Sequence, residues 1–191
     1  MAERANKPDD IAAIFDRPPI ERTPHPASLD DDALMARCEW TRSKGGGPGG
    51  QNRNKVETTV ELRHTATGVH AKAGERRSVR ENKSVGIKRL RLALAVEHRE
   101  PVPAGEIRSA LWRSRSKSGR LVINPKHRDY PSLLAEALDV IHDAGYDLRR
   151  AGTRLVCTTS QLVRLLSHHP PALALVNEAR QAHGMRPLQP K

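Results

Sequence analysis

Between a predicted helix and a predicted strand the chain reads Ser43-Lys44-Gly45-Gly46-Gly47-Pro48-Gly49-Gly50-Gln51-Asn52-Arg53-Asn54-Lys55. Five glycines and a proline fill the six positions before Gln51, which excludes regular structure there. A flexible linker has such a glycine content, but linkers repeat Gly and Ser between domains, whereas this run is flanked by Lys44, Arg53 and Lys55. A Walker loop needs Gly-Lys-Ser/Thr after four spacers, and that is absent. A dinucleotide loop needs a strand before it and a helix after it, the reverse of the expected order. A third use is a backbone that must enter a narrow site. Glycines permit positive φ and close approach to a ligand, and Gln51 supplies a neutral amide. The two cysteines, Cys38 and Cys157, and the nine histidines show no metal-ligand spacing, and the adjacent His168-His169 either face opposite ways on a helix or lie at its end. No metal and no cofactor are expected.

The elements around this run follow from periodicity. Residues 1–27 hold Pro8, Pro18, Pro19, Pro24 and Pro26 among many charges and predict a disordered tail. Ser28 as N-cap, with Asp30, Asp31 and Asp32 in the first turn, predicts a helix over 29–39. After the glycine run, Val56, Thr58, Val60 and Leu62 alternate with polar residues as a strand. Thr67-Gly68 is a turn, and Val69, Ala71 and Ala73 form the second strand of a hairpin. From 80 to 97 the period becomes helical, with Ile87, Leu90, Ala93 and Leu94 inward and Lys88, Arg89 and Arg91 outward. Pro101 and Pro103 stop that helix. Residues 101–120 read as a basic, solvent-exposed connector with room for a short helix, and 121–191 as a helical unit of four helices after a short strand at 121–123. The expected class is α+β: a small sheet with a long packed helix over 28–100, followed by an all-helical C-terminal unit.

Composition narrows the partner. The chain has 191 residues, 37% of them hydrophobic and 29% charged, with a net charge of +11 and a pI near 10.3. Residues 1–40 carry a net −4, residues 41–120 a net +12 and residues 121–191 a net +3. The whole excess lies in the middle third, which points to a polyanion bound there. Five aromatic residues are too few for a base-stacking platform. No signal peptide and no apolar run of membrane-spanning length is seen, so the expectation is a cytoplasmic monomer with no membrane contact.

The order Gly47-Pro48-Gly49-Gly50-Gln51, then Asn54-Lys55-Val56-Glu57-Thr58, Thr67-Gly68, Arg77-Ser78 and Asn82-Lys83, resembles the GGQ domain of class I peptide chain release factors. It equally resembles their shorter relatives, the codon-independent peptidyl-tRNA hydrolases of ribosome rescue. The likeness covers about residues 38–97. Asn52 stands where many members carry His, Val79 where Gln is frequent, and Gly86 where a helical Ala is common. The resemblance implies ribosome-dependent hydrolysis of the peptidyl-tRNA ester at the peptidyl transferase centre, with Gly49, Gly50 and Gln51 as catalytic residues. It implies that the Gln51 N–H stabilises charge on the leaving tRNA oxygen and that its side chain shapes the water site. Arg42, Lys44, Arg53, Asn54, Lys55, Arg76, Arg77, Asn82 and Lys83 would then contact rRNA, joined by Arg113, Arg115 and Lys117 of the connector. The partners are the ribosome and peptidyl-tRNA.

The family's decoding members carry a second body that reads the stop codon. Neither a Pro-x-Thr nor a Ser-Pro-Phe tripeptide is present here, so codon-independent action is expected. The rescue hydrolases instead end in a strongly basic tail. This chain's terminus, Gly184 to Lys191, is weakly basic, and the connector is the nearest equivalent. Two alternatives remain: a codon-dependent release factor, and a non-catalytic RNA- or DNA-binding protein on the same fold. The second draws on a faint helix-turn-helix pattern over Leu155–Leu166, with Gln161 and Arg164 as base readers and Val156 where a turn glycine is usual.

Overall fold

A computed structural model describes residues 24–44, 57–117 and 119–190. Within these, a 3₁₀ turn (Pro26–Ser28) leads into helix α1 (Asp31–Met35) and strands β1 (Cys38–Ser43), β2 (Thr59–His64) and β3 (His70–Ala73). Helix α2 (Val79–Glu97) and the short α3 (Ala110–Arg115) follow. A ribbon of β4 (Ser116–Lys117) and β5 (Arg120–Leu121) comes next, then helices α4 (Tyr130–Asp143), α5 (Leu148–Leu155), α6 (Thr159–Ser167) and α7 (Pro170–Ala182). The architecture is α+β, with an antiparallel sheet in the order β1-β2-β3 and α2 laid across β2 and β3.

The hairpin and the long helix obey their periodicity. Val60 and Leu62 on β2, with Ala71 and Ala73 on β3, are buried beneath Ile87, Leu90 and Leu94 of α2. Gly86 lies where α2 crosses the sheet, and a Cβ there would stand 3.0 Å from Leu62 Cδ1. The glycine therefore fits a close helix–sheet contact, at the usual helix cost of about 1 kcal/mol against Ala.

The expected helix over 29–39 is shorter, and a strand takes its place before the glycine run. Asp30, not Ser28, is the N-cap, accepting from Ala33 N at 2.7 Å. The helix ends at Met35, and Cys38–Ser43 pair with His64–Thr59. Cross-strand pairing overrides the helical spacing of Leu34 and Trp40. Arg37 O fixes the corner by accepting from Thr65 N and from Thr65 Oγ1, each at 3.0 Å. The glycine run thus joins two paired antiparallel strands.

Three further expectations change. Residues 25–27, assigned to the tail, are buried, with Ala27 O accepting from Arg91 Nη1 at 3.0 Å. Arg91, expected outward, is buried for this reason and also pairs with Asp31 at 2.7 Å. The connector is not solvent-exposed throughout. Ile107 and Trp112 are buried, and Trp112 Nε1 donates to Leu155 O at 3.0 Å. Ser109 caps α3 by accepting from Trp112 N at 2.9 Å, and its own N–H and hydroxyl donate to Glu136 of α4 at 2.7 and 2.6 Å.

The helical part shares its core with the sheet part. The buried cluster runs continuously from Leu62 and Leu90 to Leu134, Leu155 and Leu166, with α4 packed on α2. At that junction Arg99 Nη1 donates to the buried Asp139 at 3.0 Å, and Glu100 N donates to the same oxygen at 3.1 Å. Tyr130 ties α4 to α6 through a bond from its hydroxyl to Leu165 O at 2.9 Å.

Candidate functional site

Gly49, Gly50, Gln51, Arg53, Asn54 and Lys55 lie outside the described residues, so the site is read from what fixes the two ends of their segment. On the entering side, β1 carries Trp40, Arg42 and Ser43. On the leaving side, β2 begins at Thr59. Ser43 and Thr59 are direct cross-strand partners, the last pair of the ladder before the glycine run. Both ends of the run are therefore held as neighbours by sheet pairing.

A buried amide secures the leaving end. Asn82, in the first turn of α2, is fully buried. Its Nδ2 donates to Thr58 O at 2.6 Å and to Arg76 O at 2.9 Å, while its Oδ1 accepts from Arg76 N at 2.9 Å. One side chain thus ties the residue before β2, the turn before α2 and α2 itself. Gly74 allows the turn to sit this close, since a Cβ there would fall 2.5 Å from Thr59 Oγ1. Asn82 was expected to touch RNA. Its burial and three internal bonds make it a clamp on the loop stem instead, because leaving such an amide unpaired would cost ~1–3 kcal/mol.

The surface above the clamp is basic. Arg42, Lys44, Arg76 and Arg77 are exposed. Lys83 Nζ stands 5.0 Å from the centroid of the Trp40 ring, and Arg42 Cζ 5.8 Å from it. Trp40 is 42% exposed, so its stacked cations stay reachable by solvent phosphates. Two nearby carboxylates are engaged by other cations: Glu75 pairs with Arg89 at 2.7 Å and Glu61 with Lys72 at 2.5 Å. The hydrogen bond from Arg89 holds the Glu75 carboxyl below its usual range. The stem can therefore attract a polyanion to the residues it carries. Sequence reasoning missed Trp40 as part of this surface. Its signal was an aromatic residue two positions from Arg42, visible once Cys38–Ser43 is read as a strand.

The three connector cations part company. Arg115 pairs with Asp129 at 2.5 Å, so its charge is neutralised within the fold. Arg113 and Lys117 are exposed. Among the described residues no group of three His, Cys, Asp or Glu side chains is placed to hold a metal ion. No described helix is long and apolar enough to cross a membrane.

This sheet, clamp and glycine run define a release-factor-type domain. Residues 32–130 match the RF-1 domain family, and the chain belongs to it, as a member of the class I release-factor GGQ group. The chain is 46% identical over 54 residues to the chloroplastic peptide chain release factor PrfB1 of Arabidopsis thaliana, covering 28% of this chain and 12% of that protein. It is 45% identical over 58 residues to peptide chain release factor 1 of Akkermansia muciniphila, covering 30% of this chain and 16% of that one. With an uncharacterized mitochondrial release factor-like protein of Saccharomyces cerevisiae it shares 34% over 85 residues, covering 44% of this chain and 54% of the yeast protein. The chain thus spans about half of the yeast relative and a small part of the two release factors. No solved structure matches it significantly.

Proposed function

We propose that the chain hydrolyses the ester joining peptide to tRNA on the ribosome, without reading a codon, and that it acts on stalled ribosomes. Water attacks the ester carbonyl and the bond to the tRNA oxygen breaks, leaving a peptide carboxylate and a tRNA hydroxyl. In this reading the Gln51 N–H stabilises charge developing on the leaving oxygen, and the Gln51 amide orders the attacking water and excludes larger nucleophiles. Gly49 and Gly50 give the backbone its turn. Arg42, Lys44, Arg53, Asn54, Lys55, Arg76, Arg77 and Lys83 contact rRNA around the loop. The protein acts as a monomer in the compartment of the ribosomes it serves, the cytoplasm in the simplest case.

The observation that carries this reading is the stem. Ser43 and Thr59 are paired, Thr58 is locked by Asn82, and the segment between them bears Gly49-Gly50-Gln51. Catalysis by a backbone N–H depends on placement, and such a stem supplies it. Codon independence is supported by Tyr130–Ala182, which form four helices, the first of them packed against α2.

The test is peptide release from peptidyl-tRNA on ribosomes. Gly50→Ala and Gln51→Pro are expected to abolish release while ribosome binding persists, and Gln51→Ala to slow it less, because the N–H survives. Release is expected to be insensitive to the A-site codon and fastest where the mRNA ends near the P site. Wild-type release by Gly50→Ala would overturn the catalytic reading, and a strong stop-codon preference would overturn the codon-independent one.

A further inference from the structure

The basic ribbon after α3 is docked, not free. Gln161, in the first turn of α6, donates from Nε2 to Gly119 O at 3.0 Å and accepts at Oε1 from Leu121 N at 3.2 Å. Lys117 and Arg120 are cross-strand partners on this ribbon, and both are exposed. The ribbon tip at Gly119 lines an open groove together with Arg149, Thr153, Val156 and Thr158. Arg149 and its neighbour Arg150 are exposed on the first turn of α5. The ion pairs formed among the described residues involve none of Lys117, Arg120, Arg149 and Arg150. Four exposed cations outside these ion pairs therefore stand on two elements that share one groove, and the Asp147 carboxylate, the N-cap of α5, lies near Arg149 and Arg150.

The turn between α5 and α6 is built to keep that groove tight. Val156 caps α5 in the left-handed region, φ 53° and ψ 49°, and is 51% exposed. Cys157 N returns to Gly152 O at 2.9 Å, and a Cβ on Gly152 would lie 2.7 Å from Cys157 O. A β-branched residue is rarely found in this conformation. The arrangement is a helix-turn-helix in outline, but it is poorly equipped to read bases. Both amide atoms of Gln161 are spent on the ribbon, which leaves Arg164 alone of the two expected base readers.

We propose that the ribbon tip, the first turn of α5 and the turn at 156–158 form a second RNA-binding platform, which grips the phosphodiester backbone without regard to sequence. It uses no residue of the loop stem and stands whether or not the hydrolase reading holds. RNA is the favoured source because this chain's family works on the ribosome. A DNA duplex offers the same phosphates, and the test separates the two.

The full-length protein is titrated by fluorescence anisotropy against a labelled RNA hairpin, a single-stranded RNA and a DNA duplex of equal length, over a range of salt. The first variant carries Lys117→Gln, Arg120→Gln, Arg149→Gln and Arg150→Gln. Its affinity for the hairpin is expected to fall ~10-fold or more, and its log–log salt slope to flatten by about 3 to 4. The second pair, Val156→Asp and Val156→Asn, guards against a folding artefact, because both residues tolerate the left-handed region and differ in one charge. Val156→Asp is expected to bind RNA severalfold more weakly than Val156→Asn, with equal thermal unfolding midpoints. Unchanged affinity and salt slope in the four-Gln variant would overturn the platform, as would equal binding by the two Val156 variants. Preference for the DNA duplex over both RNAs would overturn the RNA assignment.

Discussion

The loop stem and the segment that carries the ribbon are both basic, and they are held in different ways. At the stem a buried polar group does the holding: Asn82 spends its amide on three backbone atoms, and the cations lie above it. At the ribbon Gln161 also ties the backbone, but the segment leading into it has an apolar anchor: Trp112 of α3 is buried against α5, while Arg113, Lys117 and Arg120 around it are exposed. A polar clamp fixes the direction of a backbone, which suits a segment that must place one N–H. A buried aromatic fixes the position of a whole element at large energetic gain, which suits a surface that must merely be present. The difference teaches that one net charge can serve two tasks within a chain, and that the group beneath the charge tells them apart.

Breaking the apolar anchor should give the largest effect. Trp112→Ala is expected to cost ~3–5 kcal/mol, by lost burial and by leaving Leu155 O without its donor. Because the core is continuous, the sheet and the helices should melt together in a single lowered transition by calorimetry. Two separated transitions would show that the halves fold independently. Asn82→Ala is the matching cut at the stem. It is expected to cost about 1–3 kcal/mol, since Arg76 N and Thr58 O lose their partner. Peptide release should slow while affinity for free RNA stays at the wild-type value. A loss of RNA affinity with unchanged stability would return Asn82 to the role of an RNA contact.

How much of this was legible beforehand differs by region for a physical reason. The glycine run, the hairpin and α2 are local patterns, and the residues that specify them stand close together in sequence. Strand β1 is not local. Most of Cys38–Ser43 is exposed, so no alternation marks it, and only its pairing with β2, from Ser43 with Thr59 to Cys38 with His64, makes it a strand. Asn82 reads as a polar residue opening a helix, and its burial depends on Thr58 and the turn at 74–78 arriving over it. The connector misleads through its charge density. Its basic residues suggest a free arm, while Ile107 and Trp112 decide where it sits. The catalytic tripeptide is legible as a motif, whereas its support is visible only in three dimensions.

A smaller effect separates the sheet from the ribbon by pH. His64, at the end of β2, is buried, with Nδ1 2.9 Å from Thr67 Oγ1 and Nε2 without a partner among the described residues. Burial, with His98 and Arg37 nearby, holds its pKa below the ordinary 6.5. The unfolded chain then takes up this proton more readily than the folded one. The stability contributed by neutral His64 is full above about pH 6.5 and is lost as pH falls through the lowered value. The unfolding midpoint should decline below pH 6.5, and His64→Gln should flatten that decline. An unchanged profile would assign the acid sensitivity to other groups.

The smallest effect is expected at the turn between α5 and α6, beside the ribbon, and it has the opposite sign. Val156 holds φ 53° and ψ 49° with half its surface exposed, so little packing is lost when its side chain is removed. A left-handed conformation costs an L-residue about 1–2 kcal/mol, and Gly adopts it freely. Gly in turn loosens the unfolded chain, which offsets ~0.4–1 kcal/mol of the gain. Val156→Gly should therefore stabilise the protein by about 0.5–1 kcal/mol, raising the unfolding midpoint by about 1–4 °C for a chain of this size. If the ribbon, α5 and this turn act as one platform, RNA affinity should hold or fall slightly while stability rises, because Gly removes strain without removing a cation. A lowered midpoint would mean that the Val156 side chain supports the turn through packing, and the turn would then carry no strain for Gly to release.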